Sequence, residues 1–165
     1  MKTAAALLIL CFIIWGCRKN GGPQVNLNGP LTVCNANYTC FYNYYDRAHV
    51  TGSYPQLQAG SSRVFVYKSV DSSVCDLTVQ LSFETSLSDN TFVIDPSRLP
   101  AGAFSTSCIC CDFAYFPTTL SGEIKGKRTD NTHWLINATI ITSDTNHKPL
   151  DTLLVNQYFQ QQKLP

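Results

Sequence analysis

The strictest pattern in this 165-residue chain is an alternation of apolar and polar side chains between Cys75 and Glu84. Every odd position in this stretch is Cys, Leu, Val or Phe, and every even position is polar. Successive side chains of a β-strand point to opposite faces, so a period of two indicates a strand with one buried face. The chain therefore has to supply further strands that cover this face.

The C-terminal third predicts three consecutive antiparallel strands. Residues 121–128 and 132–142 flank Thr129-Asp130-Asn131, whose Asp and Asn side chains favour a tight turn. A polar loop over 143–149 then leads to a last strand over 151–160. One face of the middle strand carries four apolar side chains: Trp134, Ile136, Ala138 and Ile140. This meander is expected to pack that face into the core.

Further short strands are predicted over residues 38–45, 63–68 and 91–95, between segments rich in Gly, Ser or Pro. About eight strands at roughly ten-residue spacing predict an all-β fold, an antiparallel sandwich. A small up-and-down barrel of the lipocalin-like kind is the alternative. Charged residues make up only 14% of the chain, which also favours strands and turns over surface helices.

The N-terminus has the layout of a signal peptide. Lys2 gives a positive start, residues 4–15 are apolar, and the small residue Gly16 precedes Cys17. About a dozen apolar residues in a helix are too short for a bilayer core that needs about 20. We therefore expect this segment to be removed rather than to remain as a membrane span.

The sequence Ile14-Trp15-Gly16-Cys17 resembles the lipobox of bacterial lipoproteins. The resemblance implies that residues 1–16 are a lipoprotein signal peptide and that the Cys17 thiol receives a diacylglycerol, often followed by acylation of the new amine. An ordinary secretory signal, with Cys17 an incidental cysteine, is the alternative. Acyl chains contribute about 0.8 kcal/mol per buried methylene, so two or three of them would hold the chain at a membrane.

Residues 17–24 then read as the lipidated cysteine and a flexible tether, and residues 25–165 as a single β-rich domain. The tether resembles those of lipoproteins from the Bacteroides-type phylum, which implies attachment to the outer membrane of the cell envelope, on its periplasmic side or at the cell surface. Arg18 and Lys19 would lie beside the lipid head groups, where positive charge favours an anionic surface.

Apart from the lipidated Cys17, six cysteines remain in the mature chain, and in an exported protein they predict three disulfides. These candidates are Cys34, Cys40, Cys75, Cys108, Cys110 and Cys111. Cys34 and Cys40 could close a small loop, and Cys75 could reach Cys108 or Cys110 if both segments are extended. The alternative is metal or redox handling by Cys108, Cys110 and Cys111, although their spacing matches no common zinc motif.

Charge and motifs argue against several function classes. Loss of Lys2 leaves 11 basic residues against 11 acidic ones, so the mature chain lacks the net positive charge that is typical of proteins that bind nucleic acids. It also lacks a nucleophile elbow, a metalloprotease motif and a phosphate loop. We predict no enzyme, no cofactor and no metal site.

A cluster of tyrosines is the remaining candidate for function. Alternation places Tyr38, Tyr42 and Tyr44 on one face of their strand, where they either pack the core or form an exposed surface. An exposed row of tyrosines could stack on a glycan or anchor an envelope protein. The sequence thus predicts a membrane-anchored, non-catalytic binding module, with a structural role in an outer-membrane complex as the alternative.

Overall fold

Nine strands account for most of the part of the chain that the structure, a computed structural model, describes: residues 23, 25–52, 56–108, 110 and 112–164. The predicted signal peptide, Cys17 and the tether, apart from Pro23, lie outside these residues. The strands are β1 (Tyr38–Thr51), β2 (Gln56–Asp71), β3 (Leu77–Ser86), β4 (Thr91–Ile94), β5 (Phe104–Cys108), β6 (Phe113–Tyr115), β7 (Thr119–Arg128), β8 (His133–Ser143) and β9 (Pro149–Gln161).

Helical structure in the described residues is limited to two short 3₁₀ turns, Ser72–Val74 and Pro96–Arg98. Each begins after an aspartate whose side chain accepts a hydrogen bond from a backbone N–H two residues on. No helix in this part of the chain is long and apolar enough to span a bilayer.

All nine strands belong to one sheet, in the order β4-β7-β8-β9-β1-β2-β3-β5-β6. The all-β prediction is confirmed, and β7, β8 and β9 form the predicted meander. Neighbouring strands are antiparallel except for β1 and β9, which run parallel, so the sheet is mixed. Because β4 and β6 stand at the two ends of the order, the sheet is open, unlike the closed lipocalin-like alternative.

The sheet folds over so that its two halves face each other like the layers of a sandwich. The chain leaves β3 through a short turn, and β4 then pairs with β7 in the other half. Aromatic rings join the halves: Phe83 lies 5.8 Å from Phe92, and Phe65 lies 5.3 Å from Trp134. Burial of these large rings supplies much of the hydrophobic stabilisation, at roughly 25 cal/mol per Å² of apolar surface.

The predicted faces of β3 and β8 follow the alternation, with one difference at the start of β3. The inward residues of β8 are all buried, as predicted: Trp134, Ile136, Ala138 and Ile140. Cys75, however, lies before β3 rather than on its apolar face, because Cys75 and Asp76 adopt left-handed backbone conformations with φ of 54° and 55°. A strand cannot continue through two such residues.

The β1–β2 hairpin is much longer than the two short strands predicted from sequence. Its register shifts at Ala48, which pairs with both Ala59 and Ser62. This bulge accommodates Gly60, since a Cβ at that position would come within 2.9 Å of the Ala48 backbone. The Gly-Ser-Ser stretch that reads as a break is therefore a bulge inside one continuous hairpin.

Candidate functional site

The most distinctive surface feature is a groove at the point where β1 and β9 diverge. Only two residue pairs join these parallel strands, Asn43 with Gln160 and Tyr44 with Gln161. Further back along β9, its edge is occupied by the segment that precedes β1: the Thr32 N–H donates to the Asn156 carbonyl at 2.8 Å. The Asn156 N–H donates in turn to the Thr32 hydroxyl at 2.7 Å. Between these two attachments the strands separate.

The groove has a volume of about 550 Å³ and opens on the outer face of the sheet. Its walls are Cys40, Phe41, Tyr42 and Asn43 of β1, Gln157, Tyr158 and Gln160 of β9, and His133 of β8. One end is closed by the pairing of Asn43 with Gln160. The other is bounded by the segment at Thr32, which also accepts a hydrogen bond from the Gln157 amide at 3.1 Å.

Two aromatic side chains line opposite walls of this groove. Phe41 and Tyr158 are each 43% exposed, whereas their neighbours Tyr44 and Phe159 are 1% exposed. Continuing the parallel register two residues back from Asn43 and Gln160 places Phe41 opposite Tyr158. Both rings therefore lie on the outer face, one on each wall, and neither is part of the core.

Polar groups collect at the closed end of the groove. His133 pairs with Gln160 across β8 and β9, and Gln160 pairs with Asn43 across β9 and β1. Three side chains of three adjacent strands thus lie in one row on the outer face. An amide offers both a hydrogen-bond donor and an acceptor, so this row can bind hydroxyl or amide groups of a ligand.

A turn immediately before β8 orients His133. Its Nδ1 lies 3.0 Å from both carboxylate oxygens of Asp130. The backbone N–H of Thr132, aided by the side chains of His133 and Thr132, lowers the pKa of Asp130 to about 2 although desolvation opposes the shift. A carboxylate at Nδ1 favours the tautomer in which Nδ1 carries the proton and Nε2 is an acceptor.

The predicted tyrosine surface is divided by this arrangement. Tyr44 is buried, its hydroxyl donates to the Asn131 carbonyl at 3.4 Å, and burial is the main cause of its raised pKa. Tyr42 packs against Tyr67 and Phe159, with ring centroids 5.5 and 5.7 Å away, and contributes to the groove floor. Tyr38 is half-buried at the start of β1, and a hydrogen bond to Asp71 raises its pKa. The inner face of β1 is thus largely core.

Phe41 and Tyr158 were not singled out from the sequence. Alternation does place Phe41 on the face opposite Tyr42 and Tyr44, but nothing local indicates which of the two faces is buried. Tyr158 lies near the other end of the chain, and its proximity to Phe41 depends on the pairing of β9 with β1. That pairing between the first and last strands has no local sequence signal.

The disulfide prediction is confirmed for two pairs of cysteines. Cys34 pairs with Cys40, with Cα atoms 6.0 Å apart, and Cys75 pairs with Cys110, with Cα atoms 5.9 Å apart. Cys108 is also disulfide-bonded, and Cys111 lies outside the described residues. Among the described residues no group of three or more His, Cys, Asp or Glu side chains is arranged to hold a metal ion.

Among the described residues, His49 and His133 each pair with a carboxylate, and neither pair is arranged there as a catalytic triad. His49 Nδ1 lies 2.8 Å from Glu84, which also accepts the Val50 N–H at 2.8 Å. Burial raises the pKa of Glu84, but these hydrogen bonds outweigh it and leave the pKa lowered. At His133, the Thr132 hydroxyl and Asp130 both contact Nδ1. A nucleophile would have to hydrogen-bond the other ring nitrogen.

A second hollow of about 750 Å³ lies beside the start of β7 and the end of β8. Its walls are mostly loops, over residues 96–102 and 116–118, together with Ser143 and His147. Two aromatic side chains line this hollow: Phe104 is 5% exposed and belongs to the core, and Phe116 is half-buried. This hollow therefore lacks the exposed aromatic pair that marks the groove between β1 and β9.

Comparison with protein-family models, with curated proteins and with solved structures finds no match for this chain.

Proposed function

We propose that this protein is an exported lipoprotein, anchored to a membrane of the cell envelope through Cys17, whose β domain is a non-catalytic binding module. The binding site is the groove between β1 and β9. The observation that carries this proposal is the separation of these two strands, which leaves Phe41 and Tyr158 exposed on facing walls above a row of polar side chains.

Export is supported by the lipobox-like sequence before Cys17 and by the disulfides of the domain. Disulfides persist mainly in oxidising compartments such as the bacterial periplasm and the cell surface. Cys34–Cys40 links the segment before β1 to the start of β1. Cys75–Cys110 links the turn between β2 and β3 to the loop between β5 and β6. Both features agree with a position outside the cytoplasm, on either side of the outer membrane.

The binding role is supported by the form of the groove. Concave sites that combine a few apolar or aromatic surfaces with a small number of placed polar groups are typical of ligand binding. Large aromatic side chains left exposed are otherwise costly, because each would gain on the order of 1.5–3 kcal/mol by burial. A pair of them on facing walls fits a site that is completed by a ligand.

The non-catalytic assignment is supported by the geometry of the histidines. His133, in the groove wall, has its carboxylate and hydroxyl partners on the same ring nitrogen. The metal or redox alternative is not supported, because the thiols of Cys75 and Cys110 are joined in a disulfide. A structural role within an envelope complex stays an alternative that the test below distinguishes.

The N-terminal attachment places the groove near the membrane in this proposal. Val25 lies eight residue steps after Cys17, and a fully extended chain covers roughly 26–29 Å over these steps at about 3.3–3.6 Å each. The chain then contacts β9 through Thr32, directly beside the groove. A ligand in the groove would therefore lie within a few tens of Å of the bilayer surface.

The proposal is tested in two steps. The first is metabolic labelling with an alkynyl fatty acid: the chain is expected to be labelled, and Cys17→Ser is expected to lose the label. The second is an NMR titration of the purified lipidated chain with separated small-molecule, glycan and protein fractions of a bacterial envelope. A fraction that shifts the resonances of Phe41 and Tyr158 supports a binding module. Shifts confined to other surfaces would contradict this site and favour the structural role.

A further inference from the structure

We infer that the groove between β1 and β9 binds a neutral glycan, with a sugar ring held between Phe41 and Tyr158. This inference rests on the proposed function, because it names the ligand class for the same groove. Three properties of the site carry it: the facing aromatic rings, the row of amide and imidazole groups, and the absence of charged side chains from the described groove wall.

The aromatic pair fits a ring with an apolar face. One face of a pyranose presents mostly C–H groups, which pack against the π-face of an aromatic side chain. Phe41 and Tyr158 line opposite walls and are each 43% exposed, so each offers an accessible ring to a sugar bound in the groove. A linear aliphatic ligand would use this pair less well, since it presents no face to either ring.

The polar row fits hydroxyl groups at the edge of such a ring. Asn43 and Gln160 each carry a carbonyl oxygen and an NH₂ group, so each can accept from one hydroxyl and donate to its neighbour. His133 adds Nε2 as an acceptor, because Asp130 occupies Nδ1. All three side chains lie at the closed end of the groove, beyond the aromatic pair.

The lack of charge selects against ionic ligands. None of the eight residues that line the groove in the described structure is Asp, Glu, Lys or Arg. A phosphate or carboxylate of a ligand would lose its hydration without gaining a cation, which is unfavourable. Neutral hydroxyl groups exchange water for the amide groups at much lower cost, so a neutral glycan is favoured over an acidic one.

The length of the groove limits how much glycan it holds. From Asn156, where the N-terminal segment is attached, to Gln160, the strand rises about 13 Å at roughly 3.3 Å per residue. This length suits a segment of a few sugar rings. Because the groove opens on the outer face, a longer chain could continue past it.

The test uses the mature lipidated chain in a detergent without a sugar head group. Isothermal titration calorimetry would measure binding of four neutral oligosaccharides (cellotetraose, maltotetraose, mannotetraose and the tetramer of N-acetylglucosamine), with tetragalacturonic acid as the acidic counterpart. We expect at least one neutral oligosaccharide to bind at millimolar concentration or below, and the acidic one to bind more weakly. No binding by any of the four would overturn the inference.

Variants assign the binding to the groove. Phe41→Ala and Tyr158→Ala are each expected to weaken binding tenfold or more, whereas Tyr158→Phe, which keeps the ring, is expected to stay within about twofold. Leu154→Ala is the matched control, because Leu154 is an exposed outer-face residue of the same strand outside the groove. Equal affinity of Phe41→Ala and the wild type would overturn the inference.

A short peptide separates failure of the inference from failure of the proposed function. An acetylated, amidated peptide of alternating Thr and Val could add a strand in the gap between β1 and β9. Suppose that this peptide binds and loses affinity in Phe41→Ala, while the oligosaccharides do not bind. The inferred ligand class is then wrong, but the groove is still the binding site. If neither class of ligand responds to Phe41→Ala, the groove itself is not the binding site.

Discussion

Arg63 is a buried cation that pairs with Asp46. We expect the removal of Asp46 and the removal of Arg63 to lower the free energy of unfolding by different amounts. The Arg63 side chain is 4% exposed, and its Nε donates to Asp46 Oδ1 at 2.5 Å, while the Asp46 side chain is 30% exposed. The guanidinium also lies 4.7 Å from the Trp134 ring centroid and donates to the Asp89 carbonyl at 3.3 Å. The cation is thus the desolvated member of the pair.

Asp46→Asn leaves this buried cation without its counter-ion. Such a change costs about 3–5 kcal/mol in a fully buried pair. The contact with Trp134 keeps up to about 2 kcal/mol of electrostatic stabilisation, so we expect a loss of about 2–3 kcal/mol here. Arg63→Met leaves a carboxylate that water can reach and should cost less, about 1–2 kcal/mol. The double variant Asp46→Asn/Arg63→Met should be more stable than Asp46→Asn alone, because no buried charge remains.

Urea and thermal unfolding of the chain from Gly21 onward, both followed by circular dichroism, would measure the free energy of unfolding and the Tm of all three variants. A loss of about 2–3 kcal/mol should appear as a fall in Tm of roughly 10 °C for a domain of this size. If Arg63→Met destabilises Asp46→Asn further, the guanidinium is held by the aromatic rings rather than by its counter-ion. That result would refute the reasoning about the buried ion pair.

Three other perturbations test separate parts of the fold. Because the pKa of Asp130 is lowered to about 2, its contribution to stability is complete above its ordinary value of 3.8 and is lost as the pH falls through about 2. Asp130→Asn should therefore be less stable than the wild type near neutral pH, with the gap in urea midpoint closing toward pH 2; a gap that persists would contradict this. Gly126→Ala places a methyl group against the Phe92 ring and should cost about 1–3 kcal/mol, measured as a lower Tm, whereas an unchanged Tm would mean that the ring moves freely. Cys75→Ser/Cys110→Ser opens a loop with a sequence separation of 35 and should cost about 4 kcal/mol by urea unfolding; a loss under about 1 kcal/mol would show that the denatured chain is not constrained by this bridge.

Much of the local structure could be predicted from the sequence because it depends on neighbouring residues. The alternation of β3 and the apolar face of β8 follow from the period of two. The turn at Asp130 also follows from its residues, since Asp130 Oδ1 accepts the backbone N–H groups of Thr132 at 2.7 Å and His133 at 2.8 Å. The small loop closed by Cys34 and Cys40 was predictable from their short separation.

The features that create the site depend on residues far apart in the chain. β9 pairs with β1 after more than a hundred intervening residues, and no turn or motif specifies such a pairing. The separation of these strands further depends on Thr32, which takes the edge of β9 that β1 would otherwise occupy. Phe41 could be assigned to a face by alternation, but its role depends on Tyr158 lying opposite.

The bulge in the β1–β2 hairpin was missed for a different reason. Gly60 and the serines that follow it favour a loop when they are read locally. In the structure, Gly60 packs against the backbone of Ala48, a position that any side chain would obstruct. A glycine required by close packing and a glycine required by a turn look alike in a sequence.

The most direct measurement for the whole account is the intact mass of the chain purified from the membranes of a bacterium that has the lipoprotein-processing enzymes, with and without thiol alkylation under native conditions. We expect a chain that begins at Cys17, carries a diacylglyceryl group with or without an additional acyl chain, and takes up no alkylating reagent at Cys34, Cys40, Cys75 or Cys110. A soluble chain with an unmodified Cys17, or one with free thiols at these positions, would contradict an anchored, disulfide-stapled binding module outside the cytoplasm.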